Sequence, residues 1–92
     1  MGYSSRMTPR DSEDIELEIR RLRWQCRRGM LELDFLLERF LDERYPHASA
    51  AERTAFQELL SLQDPVLNEW LVTASSAPEP EFQEIVSRIR FT

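Results

Sequence analysis

Hydrophobic residues recur at intervals of three and four along two long stretches of the chain, which is the spacing of one face of an α-helix. The first helix is predicted to run from about Ser12 to Arg27, and the second from about Met30 to Arg44. The residues expected to face the core are Ile15, Ile19, Leu22 and Cys26 in the first helix, and Met30, Leu33, Leu36, Leu37, Phe40 and Leu41 in the second.

Start signals predict three shorter helices in the second half of the chain. Ser49-Ala50-Ala51-Glu52 matches a capping box, in which each end side chain satisfies the other residue's backbone N–H. Asp64-Pro65 is typical of an N-cap followed by proline, and Pro80 follows a linker of small residues from Ala74 to Pro78. The inward residues are predicted to be Ala55, Phe56, Leu59, Leu60, Leu67, Trp70, Leu71, Phe82, Ile85, Val86 and Ile89.

The composition favours the same fold class. The chain has 92 residues, only two of which are glycine, and it is rich in Leu, Glu and Arg, which favour helices over strands. A chain of this length has room for one hydrophobic core. We therefore predict an all-α, compact small bundle of about five helices spanning residues 12–92, preceded by a flexible N-terminal tail of residues 1–11.

A charged corner is predicted between the first two helices. Gly29 follows an arginine-rich last turn, as expected for a residue that ends a helix with positive φ. Glu32 falls in the first turn of the next helix, where the helix dipole favours a carboxylate. Arg28 and Glu32 either form a local salt bridge that stiffens the corner or present a charged binding surface beside Trp24.

Two groups of apolar residues lie away from the predicted core. Leu17 and Trp24 share the outer side of the first helix with Arg21 and Arg28, so Trp24 either covers another part of the bundle, with Arg21 stacked on its ring, or binds a partner. Leu31 and Phe35 lie on a charged side of the second helix. For these two residues alone, packing is the favoured interpretation.

The net charge of −5 argues against general attraction to nucleic acid or to an anionic membrane. All twelve basic side chains are arginines, which suit bidentate pairing with carboxylates. Five of them crowd the first helix and its end: Arg20, Arg21, Arg23, Arg27 and Arg28. Acidic pairs such as Glu38 and Asp42 are predicted to form a solvated face.

Candidate chemistry is sparse. One cysteine and one histidine cannot supply an intrachain disulfide or a metal site, and two glycines cannot build a nucleotide-binding loop. Cys26 is expected to be a buried, unreactive thiol and His47 a solvated loop residue. Because the sequence shows neither a membrane span nor a signal peptide, a cytoplasmic location is expected.

Several motifs match a known family. Arg28-Gly29-x-x-Glu32, with Trp24 before it and Met30, Leu33 and Asp34 around it, resembles the FAD assembly factor SdhE family, which promotes covalent flavinylation of succinate dehydrogenase. Phe56-x-x-Leu59-Leu60 and Asp64-Pro65-x-Leu67-x-x-Trp70-Leu71 are similar to that family's third and fourth helices. The resemblance extends from about Asp14 to Ile89.

The resemblance implies an accessory factor rather than an enzyme. Such a protein binds the flavoprotein subunit of succinate dehydrogenase, and of fumarate reductase, while the partner attaches FAD to its own histidine. No catalytic residue, no metal and no stably bound cofactor is expected, and the free protein is expected to be a monomer. The predicted partner-binding residues are Trp24, Arg21, Arg27, Arg28, Gly29, Glu32 and Phe35.

Two rival functions are considered. An RNA-binding or regulatory, antitoxin-like adaptor could use Arg20, Arg23 and Arg27 of the first helix, although the total charge opposes it. An enzyme that transfers flavin itself would need a phosphate cradle or a nucleophile, and the sequence indicates neither.

Overall fold

The computed structural model describes the backbone of residues 9–92 and the side chains of residues 14–92. Over this range the fold is all-α and contains no strand, which confirms the predicted class. The elements are α1 (Pro9–Cys26), α2 (Leu31–Glu43), a 3-10 turn (Tyr45–His47), α3 (Ala50–Leu60), α4 (Asp64–Leu67) continuing into a π-helical turn (Asn68–Val72), a 3-10 turn (Pro80–Phe82) and α5 (Gln83–Arg90). Helix α1 begins at Pro9 rather than Ser12, and residues 1–8 of the predicted tail lie outside the described residues.

Helix α2 occupies the centre of the bundle and packs against α1, the π-helical turn and α5. Four residues of its predicted stripe, Leu33, Leu37, Phe40 and Leu41, are fully inaccessible to solvent, whereas Met30 and Leu36 are half-buried against the core. The remaining core residues are Leu22, Cys26, Tyr45, Phe56, Leu59, Leu60, Leu67, Trp70, Leu71, Phe82, Ile85, Val86 and Ile89. The 3.6-residue periodicity therefore identified nearly every inward position.

A buried tyrosine joins α1 to α3 beneath this core. The rings of Tyr45 and Phe56 lie 5.7 Å apart, and the Tyr45 hydroxyl donates to the Glu18 carboxylate while accepting a hydrogen bond of 2.7 Å from Gln57. Burial, reinforced by the hydrogen bond to Glu18, raises the pKa of Tyr45 to about 12. The hydroxyl is thus a neutral structural group that ties the middle of α1 to α3.

The start of α3 confirms half of the predicted capping box. The Ser49 hydroxyl accepts a hydrogen bond of 3.1 Å from the backbone N–H of Glu52. The reciprocal bond is absent among the described residues, because the Glu52 carboxylate faces Arg44 at 3.6 Å and Arg88 at 3.8 Å instead. An ion pair with two arginines from neighbouring elements has replaced the local contact, and it fastens α3 to α5.

The fourth helix is short and irregular. It begins at Asp64, with Gln63 as N-cap, so the prediction that Asp64 caps it with its side chain is wrong; that carboxylate binds Arg28 instead. The helix ends in the π-helical turn, which buries Trp70 against Phe82 at 5.6 Å between ring centroids. Ala74 then reverses the chain with φ of +52°, a conformation that L-residues adopt at a cost. No described helix is long and apolar enough to cross a membrane.

Candidate functional site

The corner between α1 and α2 is held by its own backbone and by one carboxylate. Gly29 has φ of +83°, as predicted, and a β-carbon built on it would meet no atom within 4 Å. The Asp34 carboxylate, in the first turn of α2, accepts hydrogen bonds from the backbone N–H of Arg28 at 2.9 Å and of Gly29 at 3.2 Å. Two amides that follow the end of α1 are thereby satisfied, and the turn is fixed.

Ion pairs join α1 to α2 above the corner. Arg23 pairs with Asp42 at 2.6 Å, and Arg27 lies 3.6 Å from Glu38. The predicted solvated acidic face therefore pairs with the arginines of α1, at partly exposed positions where each pair contributes at most ~1 kcal/mol. The guanidinium of Arg27 also lies 5.3 Å from the centre of the Trp24 ring. Arg27 therefore stacks on this tryptophan, and not Arg21, which one of the two alternatives for Trp24 had placed there.

Large apolar side chains are exposed on both sides of the corner. Trp24 is 70% exposed, so the interpretation that it covers another part of the bundle is wrong. Leu31 is 89% exposed and Phe35 59% exposed, so packing is also the wrong interpretation for these two residues. They fall on the side of α2 opposite its buried stripe, where no other helix of the described chain covers them.

We call the exposed residues Trp24, Arg27, Gly29, Leu31, Glu32 and Phe35 the corner surface. Glu32 is exposed in the first turn of α2, as predicted, and forms no ion pair with any residue whose side chain is described. Arg21 lies nearby on the outer side of α1, where it lines a shallow depression with Leu17, Arg20 and Trp24. The corner surface thus combines an aromatic and aliphatic area with both signs of charge, which is the composition of a protein-binding surface.

Arg28 departs from the predicted arrangement. Its side chain is only 13% exposed and turns away from Glu32 toward the junction of α3 and α4, where it pairs with Asp64 at 2.9 Å. The hypothesis of a local Arg28–Glu32 salt bridge is therefore wrong. Sequence reasoning also missed the contacts of Asp34 and Asp64. The position of Asp34, in the first helical turn after a glycine, could have indicated its contacts with the corner, but no local pattern pointed to the contact of Asp64 with Arg28.

The described side chains offer little for catalysis. Cys26 is fully buried, and desolvation raises the pKa of its thiol to about 12, so it is a poor nucleophile at neutral pH. His47 is exposed at the end of a 3-10 turn, as predicted. Over residues 14–92, no group of three His, Cys, Asp or Glu side chains could hold a metal ion. A cavity of about 180 Å³ between α3 and α5 is lined by Glu52, Glu81, Glu84 and Arg88 among others, and contains no nucleophile–base pair.

Comparison with known proteins places the corner within a family. A family model described as "Flavinator of succinate dehydrogenase" matches residues 20–92, which include every residue of the corner surface. A protein of Coxiella burnetii named FAD assembly factor SdhE is 42% identical over 74 residues, covering 80% of this chain and 90% of that protein. The chain belongs to the SdhE family.

Other SdhE proteins match over a similar extent. The FAD assembly factor SdhE of Legionella pneumophila (strain Paris) is 47% identical over 70 residues, covering 76% of this chain and 87% of its own. That of Idiomarina loihiensis is 39% identical over 77 residues, covering 84% and 86%. The resemblance inferred from the motifs is confirmed, and the chain corresponds to nearly the whole length of these SdhE proteins.

Proposed function

We propose that this protein binds the flavoprotein subunit of a succinate dehydrogenase and promotes the covalent attachment of FAD to that subunit. Membership of the SdhE family supports the reaction, and the exposed Trp24, at the same interhelical corner as the exposed Glu32, supports the place of contact. Trp24 is 70% exposed and shares the corner with the exposed Leu31 and Phe35, and groups of large exposed apolar side chains mark protein-binding sites. This exposed ring is the observation that carries the proposal.

The corner surface has the features of a binding hot spot. Tryptophan and arginine contribute most when a partner excludes water from them, and Arg27 is already stacked on Trp24 before any partner arrives. Glu32 offers a carboxylate with no partner of its own among the described side chains. The open space around Gly29 allows a partner's backbone to approach closely. Fumarate reductase, whose flavoprotein is the second client implied by the resemblance, would use the same surface.

The proposed role is to orient rather than to catalyse. The flavoprotein attaches FAD to its own histidine, and this protein stabilises the conformation in which that histidine and the flavin 8α-methyl group are aligned. Orientation alone can contribute a large part of a rate enhancement. The buried, protonated Cys26 and the isolated, exposed His47 are consistent with a factor that supplies no base or nucleophile.

The structure gives no support to the RNA-binding alternative. Two of the three arginines on which that hypothesis depends, Arg23 and Arg27, are paired with Asp42 and Glu38. Each pairing removes a positive charge that counterion release would need. Of these three arginines, only Arg20 has no ion pair among the described side chains, so the set on which the hypothesis depends is a weak site for a polyanion.

The deciding experiment measures covalent flavin directly. The flavoprotein subunit of succinate dehydrogenase is produced with wild-type protein, without it, or with Trp24→Ala or Glu32→Ala at matched expression, then denatured and separated on a gel. Flavin fluorescence of its band is expected to rise with the wild type and to fall toward the background with either variant. Glu58→Ala is the matched control, because Glu58 is an exposed glutamate on α3 that is not part of the corner surface.

The outcomes separate the reaction from its location. Equal fluorescence with and without the wild-type protein would contradict the proposed function. If flavin fluorescence rises as much with both corner variants as with the wild type, the proposed function stands but the contact lies outside the corner surface. Glu58→Ala should match the wild type; a loss there would show that any surface glutamate matters and would weaken the case for Glu32.

A further inference from the structure

Arg28 uses its hydrogen-bond donors inside the molecule. Its Nε donates to the carbonyl of Gln25 at 2.8 Å, and its Nη1 donates to the carbonyl of Leu62 at 3.0 Å and to Asp64 at 2.9 Å. Its Nη2 donates to the carbonyl of Leu60. A guanidinium carries five N–H donors, so four contacts leave little for a partner.

The acceptors belong to three different elements. Gln25 is in the last turn of α1, Leu60 ends α3 and Asp64 begins α4. Carbonyls at the end of a helix lack intrahelical partners, and the helix dipole favours a cation beside them. A single side chain therefore fastens the corner between α1 and α2 to the junction between α3 and α4.

Direct pairing of Arg28 with a partner's carboxylate would disrupt this arrangement. The guanidinium, 13% exposed, would have to leave Asp64 and the carbonyls of Leu60 and Leu62, which would then lose this donor. A buried group left without its hydrogen bond costs more than a new, solvent-facing ion pair returns. The backbone N–H of Arg28 is also bonded to Asp34, so the residue is fixed on both sides.

We propose that Arg28 is a positioning residue and that Asp64 is its functional partner. Together they hold Gly29 and Glu32 in the geometry that the flavoprotein contacts, while Arg28 itself makes no principal contact. This inference rests on the proposed function and deepens it, because it assigns a role in flavinylation to Asp64, which lies outside the corner surface. It also divides the Arg28-Gly29-x-x-Glu32 motif into one residue that positions and two that touch.

The test compares Arg28→Ala, Asp64→Ala and the double variant in the flavin-fluorescence assay, together with hydrogen exchange of residues 27–34 in the purified protein. Asp64→Ala is expected to lower flavinylation, and the double variant should be no worse than Arg28→Ala alone, since one contact is being removed twice. Amide exchange in residues 27–34 should accelerate roughly tenfold in all three variants, because the corner opens locally. Asp64→Asn keeps an oxygen acceptor for Nη1 and should restore most of the activity.

A second variant separates positioning from general stability. Ser49→Ala removes the N-cap of α3, at the opposite end of the helix from Arg28. It should lower the thermal midpoint while leaving both flavinylation and exchange of residues 27–34 unchanged at a temperature where all variants are folded. If Ser49→Ala lowered flavinylation as much as Asp64→Ala did, loss of stability would explain both and the proposal would be overturned.

If Arg28 instead contacts the flavoprotein directly, the variants should show a different pattern of flavinylation. Arg28→Ala would then abolish flavinylation while Asp64→Ala stayed at the wild-type level, and that result would overturn the proposal. If even the wild-type protein failed to raise flavin fluorescence, the proposed function would fail by itself. Hydrogen exchange would in that case still decide whether Arg28 and Asp64 hold the corner, and unchanged exchange would overturn that claim too.

Discussion

Two regions of the molecule place a tryptophan shortly before a residue with positive φ, yet they use the tryptophan in opposite ways. In the corner between α1 and α2, Trp24 precedes Gly29 and is 70% exposed. In the reversal after α4, Trp70 precedes Ala74 and is 7% exposed, packed on Phe82. The second reversal therefore buries its aromatic ring in the core, whereas the first leaves its ring exposed to solvent.

The residue with positive φ also differs between the two regions. Glycine at the corner adopts positive φ without strain and leaves the surface bare, since a β-carbon there would meet nothing within 4 Å. Alanine in the second reversal adopts a strained φ between two backbone hydrogen bonds, from the N–H of Thr73 to the carbonyl of Asn68 and from the N–H of Ser75 to the carbonyl of Glu69, both at 3.0 Å. The corner therefore leaves its backbone accessible without strain, whereas the second reversal carries backbone strain at an exposed alanine.

The largest effect on stability is expected from replacing the buried tryptophan. Trp70→Ala should lower the free energy of unfolding by about 3–5 kcal/mol, the cost of deleting a large aromatic side chain from a packed core. That is a large fraction of the total for a small domain. Urea denaturation followed by circular dichroism measures the change. Trp70→Phe, which keeps a ring near Phe82, should lose less than half as much, and a loss below ~1 kcal/mol in the alanine variant would contradict the assignment of Trp70 to the core.

The exposed tryptophan should behave in the reverse manner. Trp24→Ala should change the free energy of unfolding by no more than about 0.5 kcal/mol, because a mostly exposed side chain loses little packing. Its affinity for the flavoprotein subunit should fall by about 2 kcal/mol, or roughly 30-fold, as expected for a hot-spot residue. Titration calorimetry with the purified subunit measures this affinity. Trp24→Phe should recover part of it; an unchanged affinity in Trp24→Ala would remove Trp24 from the interface.

The fold could be predicted from the sequence because its signals are local. Helical periodicity identified the buried stripe of α2, and the small-residue linker and Pro80 indicated the last helical segment, although Pro80 begins a 3-10 turn and α5 itself begins three residues later, at Gln83. The π-helical turn at Asn68–Val72, which buries Trp70 and Leu71, was not predicted, since the local residue pattern is that of an ordinary α-helix. Local capping also failed where a distant charge competed, as at Glu52 with Arg44 and Arg88.

The sequence predicted which residues form the candidate site, but not which residues their side chains contact. Periodicity showed that Trp24 points away from the core, but it could not show whether another helix covers it. The partner of Arg28 lies 36 residues away, at Asp64, so no spacing rule connects the two. Glu32, four residues away on the next helix, was the obvious local candidate. The arginine instead donates to the carbonyl of Leu60, at the end of α3, and to that of Leu62, just beyond it.

A moderate effect is expected at the glycine of the corner. Gly29→Ala should lower the free energy of unfolding by about 1–2 kcal/mol, because φ of +83° is unfavourable for an L-residue with a β-carbon. No steric clash adds to this cost within the chain. Thermal denaturation measures the loss. Gly29→Asn should lose less, since asparagine tolerates this backbone region.

The two variants distinguish conformation from access. If the flavoprotein needs only the correct turn, Gly29→Asn should support more flavinylation than Gly29→Ala, in proportion to stability. If the flavoprotein approaches the bare backbone, both variants should lose flavinylation alike, because both add a side chain at the contact. Our proposal predicts the second pattern, and full activity of Gly29→Asn would exclude close backbone approach at the corner.

The smallest effect, and the only gain, is expected at the second reversal. Ala74→Gly removes the strain of an alanine in the left-handed region, which should raise the free energy of unfolding by about 1–2 kcal/mol. Glycine also has more conformational freedom in the unfolded chain, which should lower the free energy of unfolding by about 0.5–1 kcal/mol. The net stabilisation should therefore be about 0.5–1 kcal/mol in urea denaturation, with flavinylation unchanged. A glycine is thus expected to help where Ala74 stands, whereas an alanine is expected to harm where Gly29 stands. If Ala74→Gly lowered flavinylation while raising stability, the strain at Ala74 would have a function of its own, and the contrast between an accessible corner and a purely structural reversal would be wrong.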